Sequence, residues 1–158
     1  MPRLFVRAFA VLALTLLPAA ANAHEAGLAV TGWRAGFDHP LHGWDHLTVM
    51  LAVGLWASLQ QGRARWSIPL AFVTAMAAGG LVGAIGPHVA AAEPMVLLSV
   101  IVFAALLIFR VHAPAMHGMA LAALFAVFHG YVHGQEMPNA ANLATFGTGF
   151  LIATILLH

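Results

Sequence analysis

The chain has 158 residues, of which 62% are hydrophobic and 7% are charged, and it contains neither Lys nor Cys. Soluble domains carry about 25% charged residues, so this composition predicts an integral membrane protein in a lipid bilayer. A formal net charge of +1 gives no basic field for nucleic acid, and the absence of Cys excludes disulfides and thiol ligands. The composition leaves ten His residues to be explained.

Residues 1–23 have the pattern of a secretory signal peptide. Arg3 and Arg7 precede an apolar core, and Ala21-Asn22-Ala23 fits the cleavage pattern of small residues. Cleavage there would leave residues 24–158 as a single transmembrane helical bundle. An uncleaved first transmembrane helix is the alternative, although the apolar core is short for a span of about 20 residues.

Five apolar segments follow, each close to the length that crosses about 30 Å of hydrocarbon. They run from His39 to Leu59, from Trp66 to Ile85, from a start between Val89 and Met95 to Phe109, from Pro114 to Val132, and from Ala140 to Leu157. The connections between them are short. The sequence therefore predicts an all-α polytopic membrane protein with about five transmembrane helices in one bundle.

The arginines predict the orientation of this bundle. Arg63 and Arg65 lie between the first and second segments and Arg110 lies between the third and fourth, whereas the other two loops have none. Because cytoplasmic loops are enriched in Arg and Lys, we expect these loops on the inside, although Arg34 argues weakly for the opposite. A cleaved signal would also place the mature N-terminus outside.

The start of the first segment carries three His residues at helical spacing. His39, His42 and His46 follow one another at intervals of three and four, so a continuous helix would present all three imidazoles on one stripe. Asp45 borders this stripe, and Met50 extends it inward. Ionisable groups within a membrane are costly, so their presence here indicates a metal or proton site.

A second cluster lies at the end of the fourth segment. His129, His133 and Glu136 are spaced by four and three and share one helix face. The predicted topology places both clusters in the outer leaflet, where imidazole and carboxylate could bind a divalent ion. This ligand set suits Ni(II), Co(II) and Zn(II), and spacing alone does not choose between them. Hydrogen bonding between helices is the structural alternative.

The two clusters resemble the signature motifs of the HupE/UreJ family of nickel permeases. The first motif is a His followed after five residues by Asp-His, at His39, Asp45 and His46, and the second spans Phe128 to Glu136. The resemblance implies uptake of Ni(II) across the bacterial inner membrane to supply hydrogenase or urease maturation, with a periplasmic mature N-terminus. It also implies a transporter without enzymatic activity or a permanently bound cofactor, and it implies a further helix after His158.

The resemblance implies specific metal-binding positions. They are His39, Asp45, His46, His129, His133 and Glu136. Additional candidate ligands are His24, which cleavage would expose beside a terminal amine, together with His42 and Met50. His42 stands where the family is not expected to have histidine.

Two other functions would use the same residue types. An intramembrane zinc-dependent hydrolase would also need His and acidic ligands in one leaflet, with Glu136 as its base. A b-type haem electron carrier would need axial His residues on facing helices, but it would have no use for Asp45 and Glu136. The sequence makes no prediction of the oligomeric state.

Overall fold

The computed structural model describes residues 32–138 and 141–158. In this part of the chain the secondary structure consists of six helices. These are α1 (Trp33–His42), α2 (Trp44–Ser58), α3 (Ala64–Ile85), α4 (Ala92–Ile108), α5 (Ala115–Glu136) and α6 (Leu143–Leu157). The prediction of an all-α fold is confirmed. The predicted signal peptide and His24 lie outside the described residues.

The first apolar segment forms two helices, so the prediction of one continuous helix is wrong. Gly43 separates α1 from α2 with an extended backbone (φ −89°, ψ 106°). Glycine is a poor helix former, and Pro40 inside α1 lacks the N–H that would bond one turn back. The predicted stripe of three His residues is broken as a result. His46 is buried and His39 is half-buried, whereas His42 is exposed.

Helices α3 and α5 form the most extensive helix pair of the bundle. Glycines on both helices meet the backbone of the partner. A Cβ atom added at Gly79 or Gly83 of α3 would overlap the carbonyl groups of Val127 or Tyr131, and Gly130 of α5 is equally close to Met76. Small residues are the usual means by which membrane helices approach closely. The glycines of α3 therefore serve helix packing.

Helix α1 packs along α6 in the same manner. Gly36 of α1 meets the carbonyl of Phe146, and Gly149 of α6 meets the carbonyl of Trp33. Asn142 begins α6, with its side chain accepting bonds from the backbone amides of Ala144 (3.0 Å) and Thr145 (3.2 Å). Close packing on α6 holds α1 beside the C-terminal end of α5.

Side-chain hydrogen bonds hold a loop in place at each end of the bundle. At one end, the Gln135 side chain donates to the carbonyl of Gly86 over 2.9 Å, which fixes the α3–α4 loop beside the end of α5. At the other end, Trp56 (2.9 Å) and Gln60 (3.1 Å) both donate to the carbonyl of Val111. These bonds anchor the α2 C-terminus to the α4–α5 loop.

The distribution of polarity is that of a membrane protein. Helices α3 and α5 are long and apolar enough to cross a bilayer, whereas α4 and α6 are shorter apolar helices. Large apolar side chains such as Leu70, Ile101 and Ile155 are exposed, while polar side chains such as Ser99 and His129 are fully buried. Exposed apolar surface on this scale marks contact with lipid or protein. The count of five spans stays a prediction.

Candidate metal centre

The break at Gly43 and the packing of α1 on α6 bring the two predicted clusters together. One potential ligand atom each from His39, His133 and Glu136 lies within 4.8 Å of the others. Nε2 of His39 is 3.3 Å from Oε2 of Glu136, and Nδ1 of His133 is 3.5 Å from the same oxygen. Residues of both predicted clusters thus meet at one end of the bundle, and the location of this end in the outer leaflet stays a prediction.

Several nitrogens of this group lack hydrogen-bond partners among the described residues. Both ring nitrogens of His133 are buried without a partner, and so is Nε2 of His39. Most buried polar atoms in proteins are paired, and leaving one unpaired costs about 1–3 kcal/mol. A divalent cation would satisfy such atoms, because neutral imidazole and carboxylate are the lone-pair donors that bind it. We call His39, His133 and Glu136 the three-residue group.

Asp45 and His46 adjoin the three-residue group from the start of α2. The ring centroids of His46 and His133 are 4.0 Å apart. Nε2 of His46 lies 3.8 Å from Oδ1 of Asp45, which also accepts a 2.9 Å bond from the His46 backbone amide. This amide bond fixes the carboxylate beside the imidazole. Asp45 and Glu136 together could offset the charge of a divalent ion.

His129 is in contact with His46 below the three-residue group. Its Nδ1 is 3.0 Å from Nδ1 of His46, and its Nε2 is 2.8 Å from the hydroxyl oxygen of Ser99 in α4. Both ring nitrogens of this fully buried residue therefore have protein partners. A direct ligand role for His129 stays a prediction. Sequence reasoning missed Ser99, whose only signal is its polarity in an apolar helix.

Aromatic rings enclose the centre on the side of α6. Phe150 lies edge-on to His133 at 4.6 Å, and Phe146 lies 5.5 Å from His39. A mostly apolar cavity of about 550 Å³ between α3, α5 and α6 also borders His133. Apolar walls lower the local dielectric constant and so strengthen the interaction between an ion and its ligands.

The additional candidates lie in different places. Nδ1 of the exposed His42 lies 2.7 Å from the carbonyl of Asp38 within α1. Met50 is fully buried in α2, four positions beyond His46. Sequence reasoning did not single out His158, whose Nδ1 is 2.8 Å from the Thr154 carbonyl and whose buried Nε2 has no partner among the described residues. The candidate roles of His42 and Met50 stay predictions.

The whole of this site falls within a region that is similar to known proteins. The family model described as HupE / UreJ protein matches residues 12–158. Protein HupE of Rhizobium leguminosarum bv. viciae is 42% identical over 147 residues, which cover 93% of this chain and 76% of the relative. No solved structure matches the chain. The family match and the extent of this identity show that the chain belongs to the HupE/UreJ family.

Proposed function

We propose that this protein is a permease that takes up a divalent transition metal ion, with Ni(II) as its main substrate. The observation that carries the proposal is the three-residue group, in which Nε2 of His39 and Nδ1 of His133 lie 3.3 Å and 3.5 Å from one carboxylate oxygen of Glu136. Family membership supports transport. The predicted role is to supply hydrogenase or urease maturation from the bacterial inner membrane.

In this proposal the ion first meets ligands that are only partly buried. The Glu136 side chain is 48% exposed and that of His39 is 25% exposed, whereas His133 is 4% exposed. An arriving ion can thus exchange part of its water shell for the carboxylate before it reaches the buried imidazoles. Sites with incomplete coordination release ions readily enough for transport, which a closed cage would not.

His46 and Asp45 would then offer the next ligands inward, followed by Met50. His129 remains a proposed functional position at this depth. The soft thioether of Met50 suits a transition metal better than Mg(II) or Ca(II), so its position would favour the same ions as the histidines. Asp45 supplies a second carboxylate, which supports passage of a doubly charged ion.

The two alternative functions are not proposed. His46 and His129 are buried histidines on facing helices, and their Nδ1 atoms are 3.0 Å apart, which leaves no space for a porphyrin between them. The family is one of transporters, which favours a permease over a hydrolase.

Metal accumulation in cells tests the proposal. Cells without their own nickel importer would express the chain, the Glu136→Gln variant or the Glu93→Gln variant, and Ni, Co, Zn and Cu would be measured. Glu93 is an exposed acidic residue of α4 and serves as the matched control. We expect nickel accumulation with the native chain and Glu93→Gln but not with Glu136→Gln. Equal metal content with and without the native chain would contradict the proposal.

A further inference from the structure

A buried row of hydrogen bonds joins three helices behind the candidate metal centre. The Ser99 hydroxyl is 2.5 Å from the carbonyl of Val96 and 2.8 Å from Nε2 of His129. Nδ1 of His129 is in turn 3.0 Å from Nδ1 of His46. Ser99 and His129 are fully buried and His46 is 5% exposed, so water has little access to these bonds.

The position of each proton in this row follows from the one proton of Ser99. A carbonyl oxygen only accepts, so the short contact with Val96 requires the hydroxyl to donate there. The Ser99 oxygen must then accept from Nε2–H of His129. A neutral His129 with its proton on Nε2 has a bare Nδ1, which accepts from Nδ1–H of His46.

The hydrogen bond from His46 to His129 determines which ring nitrogen of His46 carries no proton. With its proton on Nδ1, a neutral His46 carries a lone pair on Nε2, which lies 3.8 Å from Oδ1 of Asp45. Two acceptors that face each other across this distance repel one another until a cation lies between them. The opposite tautomer would place an N–H there, which would donate to Asp45 and prevent metal binding at that nitrogen.

We propose that Ser99 is a positioning residue that acts through His129 to hold His46 in the tautomer with Nε2 free for the metal ion. This inference rests on the proposed metal-binding function. It gives His129 a role that does not require direct contact with the ion. Partners that fix the tautomer of a metal-binding histidine are a general feature of metal sites, and their loss lowers metal affinity about 10–100-fold.

The test compares three variants of the full-length protein in detergent. Ser99→Ala removes the hydroxyl with little change in volume, and Ser99→Thr retains a hydroxyl that can still bond the preceding turn. Thr154→Val is the matched control, because Thr154 is also fully buried and donates only to a helix carbonyl, that of Phe150 at 2.9 Å. Thermal unfolding would check that each variant is folded.

Two measurements separate positioning from packing. The first is the ¹⁵N chemical shift of the His46 ring nitrogens in protein with labelled histidine, assigned through a His46→Gln sample, without metal. The second is the Ni(II) affinity from calorimetry. We expect the native chain, Ser99→Thr and Thr154→Val to show a protonated Nδ1 and a bare Nε2. Ser99→Ala should mix the tautomers and bind Ni(II) about tenfold more weakly.

The outcomes distinguish this inference from the proposed function. Unchanged ring-nitrogen shifts of His46 in Ser99→Ala would overturn the inference, and so would an equal loss of affinity in Ser99→Ala and Ser99→Thr. If the native chain binds no Ni(II), Co(II) or Zn(II), the proposed function fails. The nitrogen shifts still decide whether Ser99 sets the tautomer in that case, because they are measured without metal.

Discussion

The Nδ1 atoms of His46 and His129 lie 3.0 Å apart, although 83 positions separate the two residues in the sequence. This bond joins the histidine clusters of α2 and α5 in the interior of the bundle. The same two helices supply Asp45, His133 and Glu136 above it. A change in either helix is therefore expected to affect the whole centre, which makes matched controls elsewhere in the chain valuable.

We expect His133→Ala to reduce nickel uptake at least about tenfold and His42→Ala to leave it nearly unchanged. His133 has two buried ring nitrogens without partners among the described residues, whereas His42 is exposed and bonded only within α1. Loss of a ligand should cost at least as much as loss of a residue that orients one. Uptake assays with matched expression would check this, and equal activity of both variants would contradict the ligand assignment.

Metal binding should weaken as the pH falls through the histidine range. An imidazole binds metal only when neutral, and the ordinary pKa of histidine is about 6.5, so protons displace the ion below that pH. Binding should thus be strong at pH 8 and lost progressively toward pH 5. The measurement needs purified protein without a proton gradient, because a gradient could itself drive uptake. Affinity that does not vary over this range would contradict this expectation.

A cysteine at Ala90 should react with a membrane-impermeant thiol reagent from outside, and one at Gln61 should not. Both positions are exposed, and they lie in loops at opposite ends of the bundle. The arginine bias predicts that the α2–α3 loop is cytoplasmic. The native chain has no Cys, so background labelling should be absent. The reverse pattern would place the metal centre on the inner side and indicate export.

Gly83→Ala should lower the Tm of the purified protein, whereas Gly147→Ala should not. A Cβ atom at Gly83 would overlap the Tyr131 backbone in α5, but at Gly147 it would meet no atom within 4 Å among the described residues. Overpacking of this kind costs about 1–3 kcal/mol. Alanine at Gly147 should even favour helix α6 slightly. Similar Tm values for both variants would argue against close packing of α3 and α5.

The sequence by itself determined the class of this protein and most of its helices. An apolar composition with few charges predicts membrane helices, and the apolar segments from Trp66 onward correspond to α3–α6 within a few residues at each end. Regular spacing also placed His133 and Glu136 on one face of α5. These features depend on local composition and helix periodicity, which can be read directly from the sequence.

The tertiary structure alone decided how the two clusters combine. Sequence spacing put His42 on the same stripe as His39 and His46, but the extended backbone at Gly43 separates it from His46, and His42 is exposed. Ser99 gave almost no sequence signal, and it contacts His129 only because α4 packs against α5. Contacts of this kind depend on which helices pack together and at which rotation. The pairing and rotation of the helices result from the glycine faces and aromatic packing of the whole bundle, which no single segment specifies.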